Sequence, residues 1–115
     1  MNYADAILNC QKKFGLNNNG RLFEPKDSST NDQVINTATV ILATRRPVHI
    51  GINDLTTEGT FQYATGGDLV YTNWSNGEPN NGSGIEDCVE TRWDHGTKWN
   101  DGSCADLQPS ICEMI

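Results

Sequence analysis

Positive charge is scarce in this chain of 115 residues: eight Lys and Arg stand against fifteen Asp and Glu, giving a net charge of −7 and a pI near 4.5. Nucleic acids and anionic membranes are bound through clustered Lys and Arg. The only adjacent basic pairs are Lys12-Lys13 and Arg45-Arg46, so no nucleic-acid partner is expected. Long apolar runs are missing too, and with them any candidate membrane span or signal peptide. Met1 is therefore expected to open a mature segment. No C-x-x-C pair occurs, which argues against a zinc cluster. Nor is there a nucleophile paired with a base, or a carboxylate pair free of a metal-like role, so an enzyme is not expected.

What the chain does contain is enough apolar material for one modest core. Hydrophobic residues make up 36% of it, with three each of Trp, Tyr and Phe, but eleven Gly and many Asn and Asp imply a loop-rich fold. A single domain over residues 1–115 follows from the length. Small loop-rich domains need staples, and the four cysteines, Cys10, Cys88, Cys104 and Cys112, are even in number. Two disulfides are expected, in one of about three connectivities. Disulfides imply an oxidising compartment, hence a secreted or extracellular protein.

Tyr3, Ile7, Cys10 and Phe14 share one face of a predicted helix ending near Gly15. A turn covering Asn17 and Gly20, then a short strand at Arg21-Leu22-Phe23 closed by Pro25, follow it. A second helix is predicted with Ser29 or Thr30 as N-cap, Asp32 in the first turn, an apolar stripe of Val34, Ala38, Ile41 and Leu42, and Pro47 as its stop. Strands are predicted at Val48-His49-Ile50-Gly51-Ile52, around Phe61 and Tyr63, at Cys88-Val89-Glu90-Thr91, around Lys98-Trp99 and at Ser110-Ile111-Cys112-Glu113. Residues 66–84 are mostly turn formers, and their order must come from something other than a core. Helices followed by short strands define an α+β class.

That turn-rich stretch is dense in side-chain oxygen. Glu78, Asn80, Glu86 and Asp87 are followed by Asn100 and Asp101 after Trp99. Each alone reads as a turn residue. Together they offer the mixture of carboxylates and amide carbonyls that suits Ca²⁺, which takes about six to eight oxygen ligands in irregular geometry.

In order and spacing, Gly77-Glu78-Pro79-Asn80, Glu86-Asp87-Cys88 and Trp99-Asn100-Asp101 with Cys104 resemble the C-type lectin-like domain. The resemblance is nearest to the collectins, the group that includes mannan-binding lectin and surfactant protein D, and runs from Gly51 to Cys112. Thr57-Glu58-Gly59, Phe61, Thr65-Gly66-Gly67 and Tyr71-Thr72-Asn73-Trp74 also stand where that family has equivalents. The resemblance implies a C-type lectin fold with Cys10 joined to Cys112 and Cys88 to Cys104. It further implies a principal Ca²⁺ on Glu78, Asn80, Glu86, Asn100 and Asp101, with a cis bond before Pro79. These five residues would also hold two vicinal sugar hydroxyls, and the Glu-Pro-Asn order implies mannose, N-acetylglucosamine or fucose rather than galactose. An auxiliary Ca²⁺ would lie on Asp54, Glu58, Asn81, Glu86 and Asp87, weakened because Asn81 replaces the usual Asp.

The partners so implied are mannose-type glycans on microbial or cell surfaces, with a homo-oligomer as a further expectation. An ice-binding or protein-binding module of the same fold is the competing reading, since fold does not fix function. Trp74 and Trp99 are expected in the core, His49 in a structural role at the family's Trp position, and Trp93 and His95 in a hairpin-like loop. Two glycosylation sequons, at Asn73 and Asn81, are expected to stay unmodified. Relative to the family the chain starts late, which predicts an uncovered C-terminal strand near Ile111 able to mediate dimerisation.

Overall fold

The computed structural model describes residues 1–13, 19–42, 47–91 and 96–115, leaving aside the side chains at positions 41, 42 and 83. Phe14, Gly15, Arg45, Arg46, Trp93 and His95 lie outside this set, as do the side chains of Ile41 and Leu42.

Helix α1 spans Tyr3–Lys13. Asn2 caps it, its Oδ1 accepting from the Asp5 amide at 2.9 Å. Asp5 at its start and Lys12 and Lys13 at its end both complement the helix dipole. Helix α2 spans Ser28–Leu42, and here the expected cap is corrected. Asp27, not Ser29 or Thr30, accepts from the Thr30 amide at 2.8 Å, which places Asp32 beyond the first turn. The buried face of α2 is centred on Asn31 and Ile35, with Val34 packed beside them.

Strands β1 (Gly20–Leu22) and β6 (Cys112–Met114) form a two-stranded antiparallel sheet. A second, four-stranded sheet has the order β3-β2-β4-β5, built from β2 (His49–Asn53), β3 (Gln62–Tyr63), β4 (Cys88–Thr91) and β5 (Trp99–Gly102). Strand β5 thus reaches past the expected Lys98-Trp99 to include Asn100 and Asp101. Ile111 itself is held inside the chain, its amide donating to the His49 carbonyl at 3.2 Å and its carbonyl accepting from the Phe23 amide at 2.8 Å, whereas β6 beyond it has β1 as its one strand neighbour among the described residues.

Two apolar clusters hold these elements. One gathers Phe23, Ile35, Ile50, Ile52, Tyr63, Val89 and Trp99 between α2 and the four-stranded sheet. The other places Tyr3, Ala6, Cys10, Leu22 and Cys88 under α1. The disulfides Cys10–Cys112 and Cys88–Cys104 both form, with Cα atoms 5.2 and 5.1 Å apart, which falls in the ordinary range for such bridges. In the chain-entropy view they stabilise by about 4–5 and about 3 kcal/mol respectively, because their rings differ so much in length.

Candidate functional site

Trp99 is the anchor on which the site is built. Its ring is fully buried, its Nε1 donates to Asn31 Oδ1 at 2.8 Å, and Tyr71 and Trp74 pack edge-on at 5.6 Å. Its backbone accepts from the Ser75 amide at 2.8 Å and donates to the Asn73 carbonyl at 2.9 Å. The start of the turn-rich stretch is thereby sewn to β5. Asn73 is engaged through its amide with Thr97 at 3.0 Å and Lys98 at 2.9 Å. These contacts place both Trp74 and Trp99 in packing roles.

From there the chain turns through a cis Glu78-Pro79 peptide. Asp101, on β5 and fully buried, receives the loop with both carboxylate oxygens: Oδ1 accepts from the Asn80 amide at 3.0 Å, and Oδ2 from the Asn81 amide at 2.7 Å. A buried carboxylate requires such donors. Asn81 adopts a left-handed backbone, φ 48° and ψ 49°, which Asn tolerates better than most residues. The chain then enters a single 3₁₀ turn at Gly82–Gly84.

At Gly82 the amide donates to Glu86 Oε1 at 2.6 Å and to Asn80 Oδ1 at 3.1 Å. A Cβ at this position would lie 2.5 Å from Glu86 Oε1, so a larger residue would push the carboxylate out of this place. Asn80, Glu86 and Asp101 are therefore joined by one set of hydrogen bonds. Glu78 is placed by its own amide, which donates to the Ser75 carbonyl at 2.9 Å. Asn100 follows Trp99 on β5 with its Nδ2 turned to Glu90 Oε2 at 3.3 Å.

The second predicted set is only partly assembled. Asp54, Glu58 and Asp87 present ligand atoms all within 4.8 Å of one another. Asp54 Oδ1 and Asp87 Oδ1 are buried and accept no hydrogen bond. Burial, then the nearby Glu58, pushes the Asp54 carboxyl above its ordinary value; burial, then Asp54, does the same for Asp87. Converging carboxylates with orphaned oxygens fit a divalent cation bound through oxygen. Asn81 borders this group, its Nδ2 donating to Glu58 at 3.3 Å and its Oδ1 accepting from the Glu86 amide at 3.1 Å, while the Glu86 carboxylate serves Gly82.

A fold of two helices, two antiparallel sheets and two disulfides, carrying a long polar loop on Trp99 and Asp101, is that of the C-type lectins. The chain belongs to this family: residues 1–114 match the family described as Lectin C-type domain. It is 39% identical over 98 residues to pulmonary surfactant-associated protein D of Sus scrofa, covering 83% of this chain and 25% of that protein. It is 38% identical over 115 residues to collectin-10 of Xenopus tropicalis, covering 99% of this chain and 38% of that protein. The chain thus spans well under half the length of these relatives. Among solved structures it is similar to the C-type lectin CEL-I from Cucumaria echinata, with a TM-score of 0.87, 27% identity and coverage of 97% of this chain and 81% of that one. Membership supports carbohydrate binding in general, and the relatives are lectins rather than enzymes. Ca²⁺ binding is general in the family, consistent with the acidic cluster.

Sequence reasoning gave His49 its structural role but missed the polar partners it meets behind the site. Glu90, His49 and Gln108 are buried together. Only pairing across distant segments reveals them, and no spacing in the sequence signals it.

Proposed function

We propose that residues 1–115 are one extracellular carbohydrate-recognition domain that binds mannose-type glycans in a Ca²⁺-dependent way. The observation that carries the reading is Asp101: its buried carboxylate binds the Asn80 and Asn81 amides and so draws the Glu-Pro-Asn loop onto β5. Glu78, Asn80, Glu86, Asn100 and Asp101 would hold the principal ion. Asp54, Glu58 and Asp87 would hold an auxiliary one, with Asn81 and Glu86 completing it after reorientation. The bound Ca²⁺ supplies open coordination positions that two vicinal sugar hydroxyls can fill. Around it, Glu78 and Glu86 accept a hydrogen bond from each hydroxyl, while the amides of Asn80 and Asn100 donate to them. Every hydroxyl valence is then satisfied.

The placement of acid before Pro79 and amide after it sets the order of acceptor and donor around the ion, which is the basis for preferring mannose, N-acetylglucosamine or fucose to galactose. Two disulfides support an oxidising, extracellular setting. Contact through two hydroxyls of one sugar makes single-sugar affinity weak, so useful binding to microbial or cell surfaces relies on several copies acting together.

Isothermal titration with mannose and with galactose, each in Ca²⁺ and in EDTA, checks the reading. Binding of mannose alone, abolished by EDTA, is expected. Equal binding of both sugars, or binding that persists in EDTA, would refute it. Thermal hysteresis of ice growth without sugar binding would favour the ice-binding alternative.

A further inference from the structure

Behind β5 runs a buried polar chain unrelated to the loop. Glu90 lies directly across from Asn100 in the β4–β5 ladder and is 7% exposed. Its Oε2 accepts from Asn100 Nδ2 at 3.3 Å, and its Oε1 from Gln108 Nε2 at 3.3 Å. Gln108 Nε2 also meets His49 Nδ1 at 3.0 Å. The far nitrogen of His49, Nε2, faces the carbonyls of Met1 and Asp106, each at 3.2 Å. His49 itself is packed edge-on against Tyr3 at 5.4 Å. Every link from α1 to β5 is thus filled.

The route also runs across Gly102. A Cβ on Gly102 would collide with Glu90 Oε1 and lie 2.8 Å from Cδ, so a larger residue there would force the Glu90 carboxylate off its two donors. A carboxylate taken this far out of water needs a return. Its amide donors are neutral, so the pairing is not an ion pair held for charge neutralisation.

We propose that Glu90 is a positioning residue for the sugar-and-ion site, fixing the rotation of the Asn100 amide through Nδ2. The inference rests on the reading of Asn100 as an ion ligand. An asparagine amide has one oxygen and two N–H donors, and its two ends are set by whichever bond is made first. Glu90 takes one N–H, which leaves the second N–H and Oδ1 on the branches away from β4. The amide is preorganised before any ion arrives, with Oδ1 for the cation and a spare donor for a hydroxyl. Without Glu90 the amide samples both flips, and half of them present N–H to a cation. Gln108, backed by His49, holds the Glu90 carboxylate in turn.

The test compares wild type with Glu90→Ala, Glu90→Gln and Asn100→Ala, and with the Glu90→Ala/Asn100→Ala double variant. Ca²⁺ half-saturation is followed by titration, and the Asn100 side-chain amide by NMR in EDTA. Glu90→Ala is expected to weaken Ca²⁺ binding about tenfold, in line with loss of one hydrogen bond to a charged group, and to shift the metal-free Asn100 amide signals. Glu90→Gln retains an acceptor and should fall between Ala and wild type. The double variant should be no weaker than Asn100→Ala alone.

Wild-type Ca²⁺ affinity in Glu90→Ala, beside weakened binding in Asn100→Ala, would overturn the positioning role alone. Unchanged affinity in Asn100→Ala would overturn the ligand reading and the inference with it. Should Glu90→Ala not fold, as judged by its melting transition in EDTA, Glu90→Gln decides: weakened Ca²⁺ binding with a shifted Asn100 amide supports the role, and wild-type values for both overturn it.

Discussion

The helical half of the molecule and its polar loop are ordered by different forces. Under α1, the apolar cluster of Tyr3, Ala6, Cys10 and Leu22 is stapled at both ends by disulfides, and stability there comes from burial and covalent closure. Among the described side chains of residues 76–87 none is fully buried. Order in that stretch comes from the Asp101 and Glu86 carboxylates accepting from the Asn80, Asn81 and Gly82 amides, beside a carboxylate cluster whose members repel one another. The first half is self-sufficient. On the proposed function the second is complete only with a cation, which would make it responsive to ligand.

The largest effect that should separate the halves is covalent. Removing the Cys10–Cys112 bridge with a Cys10→Ala/Cys112→Ala pair should cost about 4–5 kcal/mol of global stability, read by denaturant melts. A loss confined to the loop, with the global transition intact, would erase the distinction. Next comes Asp101→Ala, which strands the Asn80 and Asn81 amides. About 3 kcal/mol of stability and essentially all Ca²⁺ binding should be lost, with hydrogen exchange rising first in residues 76–87. Uniform acceleration across the sheet would mean that the loop is not an independent unit.

A smaller and opposite effect is expected at Asp87. Carboxyls raised above their ordinary values bind protons more readily in the metal-free fold than in the unfolded chain, so that fold loses stability as pH climbs past the ordinary value. Asp87→Asn should therefore raise the melting temperature in EDTA at pH 7 while weakening Ca²⁺ binding. A variant destabilised in both states would show that the cluster contributes packing rather than charge.

Smallest is the effect at His49 in the self-sufficient half, where burial holds the imidazole below its ordinary value of 6.5. The unfolded chain then binds the extra proton as pH falls through 6.5, and stability drops toward the lower folded value. Melts of wild type and His49→Asn from pH 7.5 to 5 should show a steeper acid loss in wild type; parallel curves would exclude His49 as a source.

Much of the self-sufficient half was legible in the sequence, because periodicity marks a buried face: Tyr3 and Cys10 lie where the helical spacing puts them, and Ile50 and Ile52 where a buried strand requires. The oxygen donors were legible as a set through their order around Cys88 and Trp99. What escaped were choices between near-equivalent polar residues and contacts between distant ones. Asp27 rather than Ser29 or Thr30 caps α2 because it alone precedes the first helical residue with its carboxylate free to turn back. The Gln108 contacts to Glu90 and His49 join residues 18 and 59 positions apart, beyond the reach of any local pattern. The bonds of Ile111 to Phe23 and His49 are of the same distant kind.

Linked binding is the most direct measure of the central claim. If sugar hydroxyls complete the shell of an ion held by the loop, then mannose must tighten Ca²⁺ binding by the same factor that Ca²⁺ tightens mannose binding. Titration of EDTA-stripped protein with Ca²⁺, alone and with saturating mannose or galactose, should give a lower half-saturation point in mannose and an unchanged one in galactose. Identical Ca²⁺ curves in all three conditions would contradict it.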